Sequence, residues 1–205
     1  MTDEPNDAET QPDETPEEQP AEPSTESSAN GAENGESFKS PLDLPPAPDP
    51  QATENGLRAF DALRLWLEDD GWYPSQLGDR SIFGVRFAGK NGDMHCFAQI
   101  IPDLELFLFY VVAPVKVPEE IRPAVAEFIT RANYGMRIGN FEMDYRDGEV
   151  RYKSSLDFEG EMLSDNWIKH AVYPAAQTMD RYLHGLMRVI YGVMTPFEAI
   201  EEIEN

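Results

Sequence analysis

Only one cysteine, Cys96, occurs among the 205 residues, so no internal disulfide can form and a reducing compartment is the natural expectation. Basic residues are scarce too: 16 lysines and arginines stand against 39 acids, a formal net charge of −23. Nucleic acid phosphates are held by clustered Lys and Arg, so a general affinity for nucleic acid is excluded, and an anionic membrane surface is disfavoured on the same ground. No run of about 18 apolar residues exists, which leaves nothing to span a bilayer. The opening stretch, Met1 to Pro20, is acidic and lacks both the basic start and the apolar centre of a signal peptide. The cytoplasm is the expected location.

Histidines number three: His95, His170 and His184. His95 adjoins Cys96 on a predicted strand, where neighbours point to opposite faces, so the two cannot share a metal. His170 and His184 are about 21 Å apart along an unbroken helix, and no pair has the i,i+4 spacing of a helical zinc site. The acids Asp157, Glu159, Glu161 and Asp165 lack the glycine and the spacing of a calcium loop and read as a solvated charge run. Gly84, Gly89 and Gly92 lie in or between strands with no helix following, so no phosphate-binding loop is present. No metal or other cofactor is expected. Cys96 falls on the most apolar strand face, where a thiol is inert rather than nucleophilic. No catalytic residue can be singled out, and the expectation is a protein that is not an enzyme.

Composition changes abruptly near residue 50. Residues 1–50 hold 14 acids against one base (Lys39), ten prolines and a single aromatic, Phe38. Such a segment cannot bury enough apolar surface to offset the entropy of ordering it, and it is expected to be a disordered acidic tail. Its stretch Pro41-Leu-Asp-Leu-Pro-Pro is either part of an inert solubilising leader or a short docking motif. The remaining residues, 51–205, still carry −10 of the total −23.

From Gln51 onward the pattern is dense. Leu57, Phe60, Leu63, Trp66 and Leu67 recur at helical spacing, with Gly71 as a left-handed stop, predicting a helix over about 53–70. Three strands follow, Ile82 to Ala88, Met94 to Ile101 and Leu104 to Ala113, joined by turns at Asn91-Gly92 and Pro102-Asp103. Two-residue turns would set Phe87 against Cys96 and Cys96 against Phe109. One face is then Phe83, Val85, Phe87, Cys96, Ala98, Ile100, Phe107, Phe109 and Val111. The other carries Arg86, His95, Phe97, Gln99, Leu106, Leu108 and Tyr110, apolar enough to need a covering helix or subunit.

A second helix is predicted over about 119–134, with Pro123 in its first turn or kinking it. A hairpin then turns at Asp147-Gly148, and a two-residue turn pairs Met143 with Tyr152, Asp144 with Arg151 and Glu142 with Lys153. Ser164 caps a long helix in which Pro174 predicts a kink or a break. Gly192 stops it, and Thr195-Pro196-Phe197-Glu198 is a capping box opening a short final helix. The fold class is α+β, order α-βββ-α-ββ-α-α, with the helices packed on an antiparallel or mixed five-stranded sheet.

Arg131-Ala-Asn-Tyr-Gly-Met, Gly139-Asn-Phe-Glu-Met-Asp and Asp147-Gly-Glu-Val-Arg-Tyr-Lys resemble the YbjN family. Thr178-Met-Asp-Arg-Tyr-Leu, Ile190-Tyr-Gly and Pro196-Phe-Glu-Ala-Ile are similar to its C-terminal part. The likeness covers roughly residues 53–204. It implies a fold similar to type III secretion chaperones and a small cytosolic bacterial protein described as a sensory transduction regulator, with no established catalytic residues. The chaperone-like fold further implies dimers that hold an extended partner segment.

The function expected is therefore non-enzymatic protein binding or regulation, a homodimer holding a client protein, with no nucleic acid and no membrane. Asn133, Tyr134 and Asn140, between the second helix and the hairpin, either cap backbone groups or mark a partner or ligand site. The aromatic and methionine surplus on the long helix, Met187 and Tyr191 included, is either core or a dimer seam or partner groove. The alternatives are a ligand-binding or enzymatic domain with a pocket near Asn133, Tyr134 and Asn140, and a structural subunit of a larger assembly.

Overall fold

The structure is a computed structural model and describes residues 51–205; the expected disordered tail and its Pro41–Pro46 motif lie outside them. The chain opens with α1 (Glu54–Asp69), capped by Thr53, whose side chain accepts from the Gly56 amide. Gly71, at φ +80°, turns the chain out of the helix as its position predicts. Gly56 answers a different need. A Cβ there would lie 2.1 Å from the carbonyl oxygen of Pro102, so the helix can dock on that turn only without a side chain.

Six strands follow: β1 (Ser75–Gln76), β2 (Ile82–Ala88), β3 (Asp93–Ile101), β4 (Leu106–Lys116), β5 (Asn140–Met143) and β6 (Glu149–Asp157). They form one antiparallel sheet in the order β1-β2-β3-β4-β6-β5. The expected count of five is corrected by β1. Two residues have no periodicity to read, so this edge ladder has no sequence signature.

Between β4 and β5 a single 3₁₀ turn, Glu119–Ile121, leads into α2 (Arg122–Tyr134), with Pro123 in the first turn. Helix α3 (Asp165–Ile190) runs through Pro174 without dividing. Its stripe from Ile168 to Ile190 is buried along its whole length, and that packing holds together what proline would otherwise interrupt. The capping box at Thr195 and Glu198 is formed and opens α4 (Pro196–Glu204).

All three predicted hairpins have the right faces and the wrong register. Val85, not Phe87, is opposite Cys96; Val111, not Phe109, is the next partner of Cys96; Glu142 is opposite Arg151 and Phe141 opposite Tyr152. Each pairing is displaced by two residues because each connection is longer than the two-residue turn assumed. A shift of two leaves every side chain on its own face. The apolar face predicted for the first three strands is thus the face the helices cover. It joins α1, α2, α3 and α4 in one buried cluster around Phe83, Cys96, Phe107, Phe109, Phe128, Tyr152 and Met179.

The opposite face meets no helix. Ile82, Phe97 and Tyr110 form a separate buried cluster there, flanked by Leu77, Leu108 and Val112. Of the two covers expected, a helix or a subunit, no helix among the described residues supplies one; Leu77, Leu108 and Val112 pack over the cluster.

Candidate functional site

Register places the helix-free face in transverse rows. One row crosses all six strands through Ser75, Gly84, Phe97, Tyr110, Lys153 and Asn140. The next row contains Arg86, His95, Val112, Arg151 and Glu142. A row with Phe97 and Tyr110 at its centre thus lies beside one carrying Arg86 and Arg151, about 7 Å away along the strands. The Arg151 guanidinium lies 4.6 Å from the centre of the Tyr110 ring, a cation–π contact that covers the ring, and it also pairs with Glu142 at 2.8 Å. Lys153 donates to the other oxygen of Glu142. Burial alone would raise the Glu142 carboxyl, but the hydrogen bonds from Lys153 and Arg151 outweigh it and hold it below the usual range. Burial likewise pushes the Tyr110 hydroxyl up, against the nearby charge of Arg151.

Toward the β1 edge the face changes character. Arg86 and His95 are exposed, and neither takes part in any ion pair among the described residues. Between them and the edge, Gly84 leaves a cleft of about 460 Å³ walled by Tyr73, Leu77 and Phe97. Sequence reasoning assigned Gly84 no role; the available signal was a glycine inside a strand pattern, which marks close approach by a backbone or ligand.

The residues singled out in the sequence fall into three groups. Asn133 donates to the Phe141 carbonyl at 3.0 Å and accepts from the Phe141 amide at 2.7 Å. Its side chain thereby acts as a substitute strand for the outer edge of β5. Asn140 donates to the same carbonyl at 3.2 Å. Tyr134 is 95% exposed at the end of α2, Tyr191 is 68% exposed at the end of α3, and Met187 packs half-buried against the core. The structure therefore brings Asn133 and Asn140 together on one strand edge and leaves Tyr134, Met187 and Tyr191 apart from them.

The loop between Tyr134 and Asn140 does border a cleft, of about 490 Å³, with Tyr152, Thr178, Arg181, Tyr182 and Glu204. Its polar groups are largely engaged with the protein itself. Tyr182 donates to Glu204 at 2.8 Å, Arg181 to the Ile203 carbonyl at 2.6 Å, and Tyr152 to the Ile138 carbonyl. The Tyr182 hydroxyl, desolvated and bonded to a carboxylate, is pushed up to about 12, so it is protonated at neutral pH.

Cys96 is buried at the centre of the covered face, and burial pushes its thiol up to about 12. It is a thiol rather than a thiolate at neutral pH. His95 points to the opposite face from Cys96, as strand alternation requires. Among the described residues no three His, Cys, Asp or Glu side chains converge as cation ligands, and no helix is long and apolar enough to cross a membrane.

The family model for YbjN, described as "Putative bacterial sensory transduction regulator", matches residues 59–187. A solved structure described as "Crystal structure of YbjN, a putative transcription regulator from E. coli" is similar at 15% sequence identity and a TM-score of 0.44, covering 65% of this chain and 90% of that one. No curated protein matches the chain.

Proposed function

The chain belongs to the YbjN family, and from that premise we propose that it is a non-enzymatic regulatory module that binds a client protein on the helix-free face of its sheet. The carrying observation is the asymmetry of the sheet. Four helices build one core on one side, while the other side presents half-buried Leu77, Leu108 and Val112, packed over buried Ile82, Phe97 and Tyr110, beside Arg86, His95, Arg151 and Lys153. A rigid sheet face with an apolar centre and a charged border suits an extended protein segment. The side chains that chemistry would use point the same way: Cys96 is a buried thiol, and Glu142 is held between two cations.

The active unit is a homodimer. Tyr191, Val193 and Phe197 are exposed side by side at the corner joining α3 to α4, and Arg131, one turn before the exposed Tyr134, lies over the Phe197 ring at 5.3 Å. An exposed aromatic corner of this kind is suited to a second copy. It leaves the helix-free faces of both protomers available to clients.

Affinity capture on the full chain from its native host, with sedimentation of the recovered complex, tests this reading. A protein client in fixed ratio to a dimer is expected. Recovery of a small molecule alone, a fixed large assembly, or a monomer at micromolar concentration would contradict it.

A further inference from the structure

Gly84 sits in the middle of β2 with no need of the fold to account for it. Its backbone is not among those in the left-handed region. A Cβ built on it would meet nothing nearer than a Leu77 methyl at 3.6 Å and the Ser75 carbonyl at 3.8 Å, which are ordinary van der Waals contacts. Glycine weakens a strand interior because it loses more entropy on folding and packs no side chain. At Gly56 and Gly148 the structure supplies the reason, since a Cβ would lie 2.1 Å from a backbone oxygen in each case. At Gly84 a methyl group would fit against Leu77 without displacing it, and the glycine forms part of the floor of the cleft on the helix-free face.

The surroundings of that space define what enters it. Phe97, directly across the ladder, and Leu77 give it apolar walls. Tyr73 lines it, 88% exposed and held at φ +50°, a backbone conformation that a bulky side chain rarely adopts. Arg86 and His95 border it on the β3 side, without ion-pair partners among the described residues in a chain of net charge −23. A free guanidinium on an otherwise acidic protein selects an acidic group and repels a basic one in its neighbourhood.

We propose that the Gly84 notch receives an aliphatic side chain from an extended acidic segment of a partner protein, with a carboxylate two residues along that segment paired to Arg86 beside His95. This rests on the client-binding reading above and names the chemistry of the client segment. The glycine makes room for the incoming side chain, and Arg86 sets the polarity of the segment that carries it.

The test titrates the full chain with two labelled peptides, Asp-Ala-Leu-Ala-Asp and Lys-Ala-Leu-Ala-Lys, in which the leucine and the charged residues share one face of an extended segment, and follows fluorescence anisotropy. Saturable binding of the acidic peptide alone is expected. It should weaken roughly tenfold or more in Gly84→Leu, which fills the notch, and in Arg86→Glu, which reverses its charge. Gly84→Ala adds one methyl group that fits and reports whether the strand tolerates substitution; melting temperatures of all three variants should stay at or above that of the parent chain within a degree or so. No binding of the acidic peptide, equal binding of the basic one, or indifference to Gly84→Leu would overturn the proposal. So would a fall in sedimenting mass with Gly84→Leu at unchanged peptide affinity, which would give the notch to a second copy. If the chain captures its client regardless of Gly84→Leu, the notch assignment alone fails; if it captures none, the broader reading fails with it.

Discussion

Glu105 shows how one side chain can tie three distant segments. It lies at the β3–β4 turn in the left-handed region, at φ +50°, and only 8% of it is exposed. Its carboxylate accepts from the Thr53 hydroxyl at 2.6 Å, the Asn55 amide at 2.8 Å and the Gly160 backbone at 2.8 Å. Those donors belong to the start of α1 and to the connection from β6 to α3. The hydrogen bonds from Thr53, Asn55 and Gly160 hold the carboxyl below its ordinary value of 4.5. A carboxyl whose folded value is depressed contributes stability that is complete above the unfolded value and lost as pH falls through the folded one. The chain should therefore lose stability progressively below pH 4.5. Glu105→Gln turns one acceptor oxygen into a donor facing other donors, so it should melt several degrees lower at neutral pH and show a shallower acid limb. Thermal melts of both proteins across that pH range check this; parallel curves would contradict it.

Among the elements, the hairpins separate what local sequence encodes from what it does not. Alternation with a period of two tells which face a side chain takes but cannot distinguish registers that differ by two, and the connections that decide between them are set by residues far along the chain. Asp180 of α3 accepts from the Lys90 and Asn91 amides, holding open the turn that Asn91-Gly92 would otherwise close tightly. Thr53, Asn55 and Gly160 do the same for the second turn by donating to Glu105. Lys116 and Arg122 hold the third, through Asp147 and the Tyr145 carbonyl. None of these partners is near its turn in sequence. Helices with long stripes and local caps, such as α1 at Thr53, α3 at Ser164 and α4 at Thr195, were legible for the opposite reason, since both the stripe and the cap lie within a few residues. Asn133 and Asn140 stood out as polar residues at a crossover, while Gly84 did not, because a missing side chain becomes informative only once the empty space above it is known. The register carries its own prediction. A double-mutant cycle between Glu142 and Arg151 should give a coupling of about 0.5–1 kcal/mol, and a cycle between Asp144 and Arg151, partners only in the two-residue-turn register, should give none within error. Urea unfolding of the single and double variants measures both, and the reverse pattern would contradict the pairing.

For the whole molecule, the decisive feature is the unequal treatment of the two sheet faces. One is consumed by four helices and holds the only cysteine out of reach of solvent; the other keeps an apolar strip and a cationic border on a chain that is otherwise strongly acidic. The high net charge keeps such a surface soluble, while Arg86, unpaired among the described residues, draws acidic segments to it locally, an effect that added salt should weaken. His95 and His184 permit a direct comparison of the two sides, since both are exposed, one on the helix-free face and one on α3. Replacing each in turn by the photo-crosslinking residue benzoylphenylalanine in the full chain, followed by irradiation in native-host lysate, reads out which side the client touches. A discrete cross-linked protein is predicted from position 95 and none from position 184; cross-linking from position 184 alone would contradict the account.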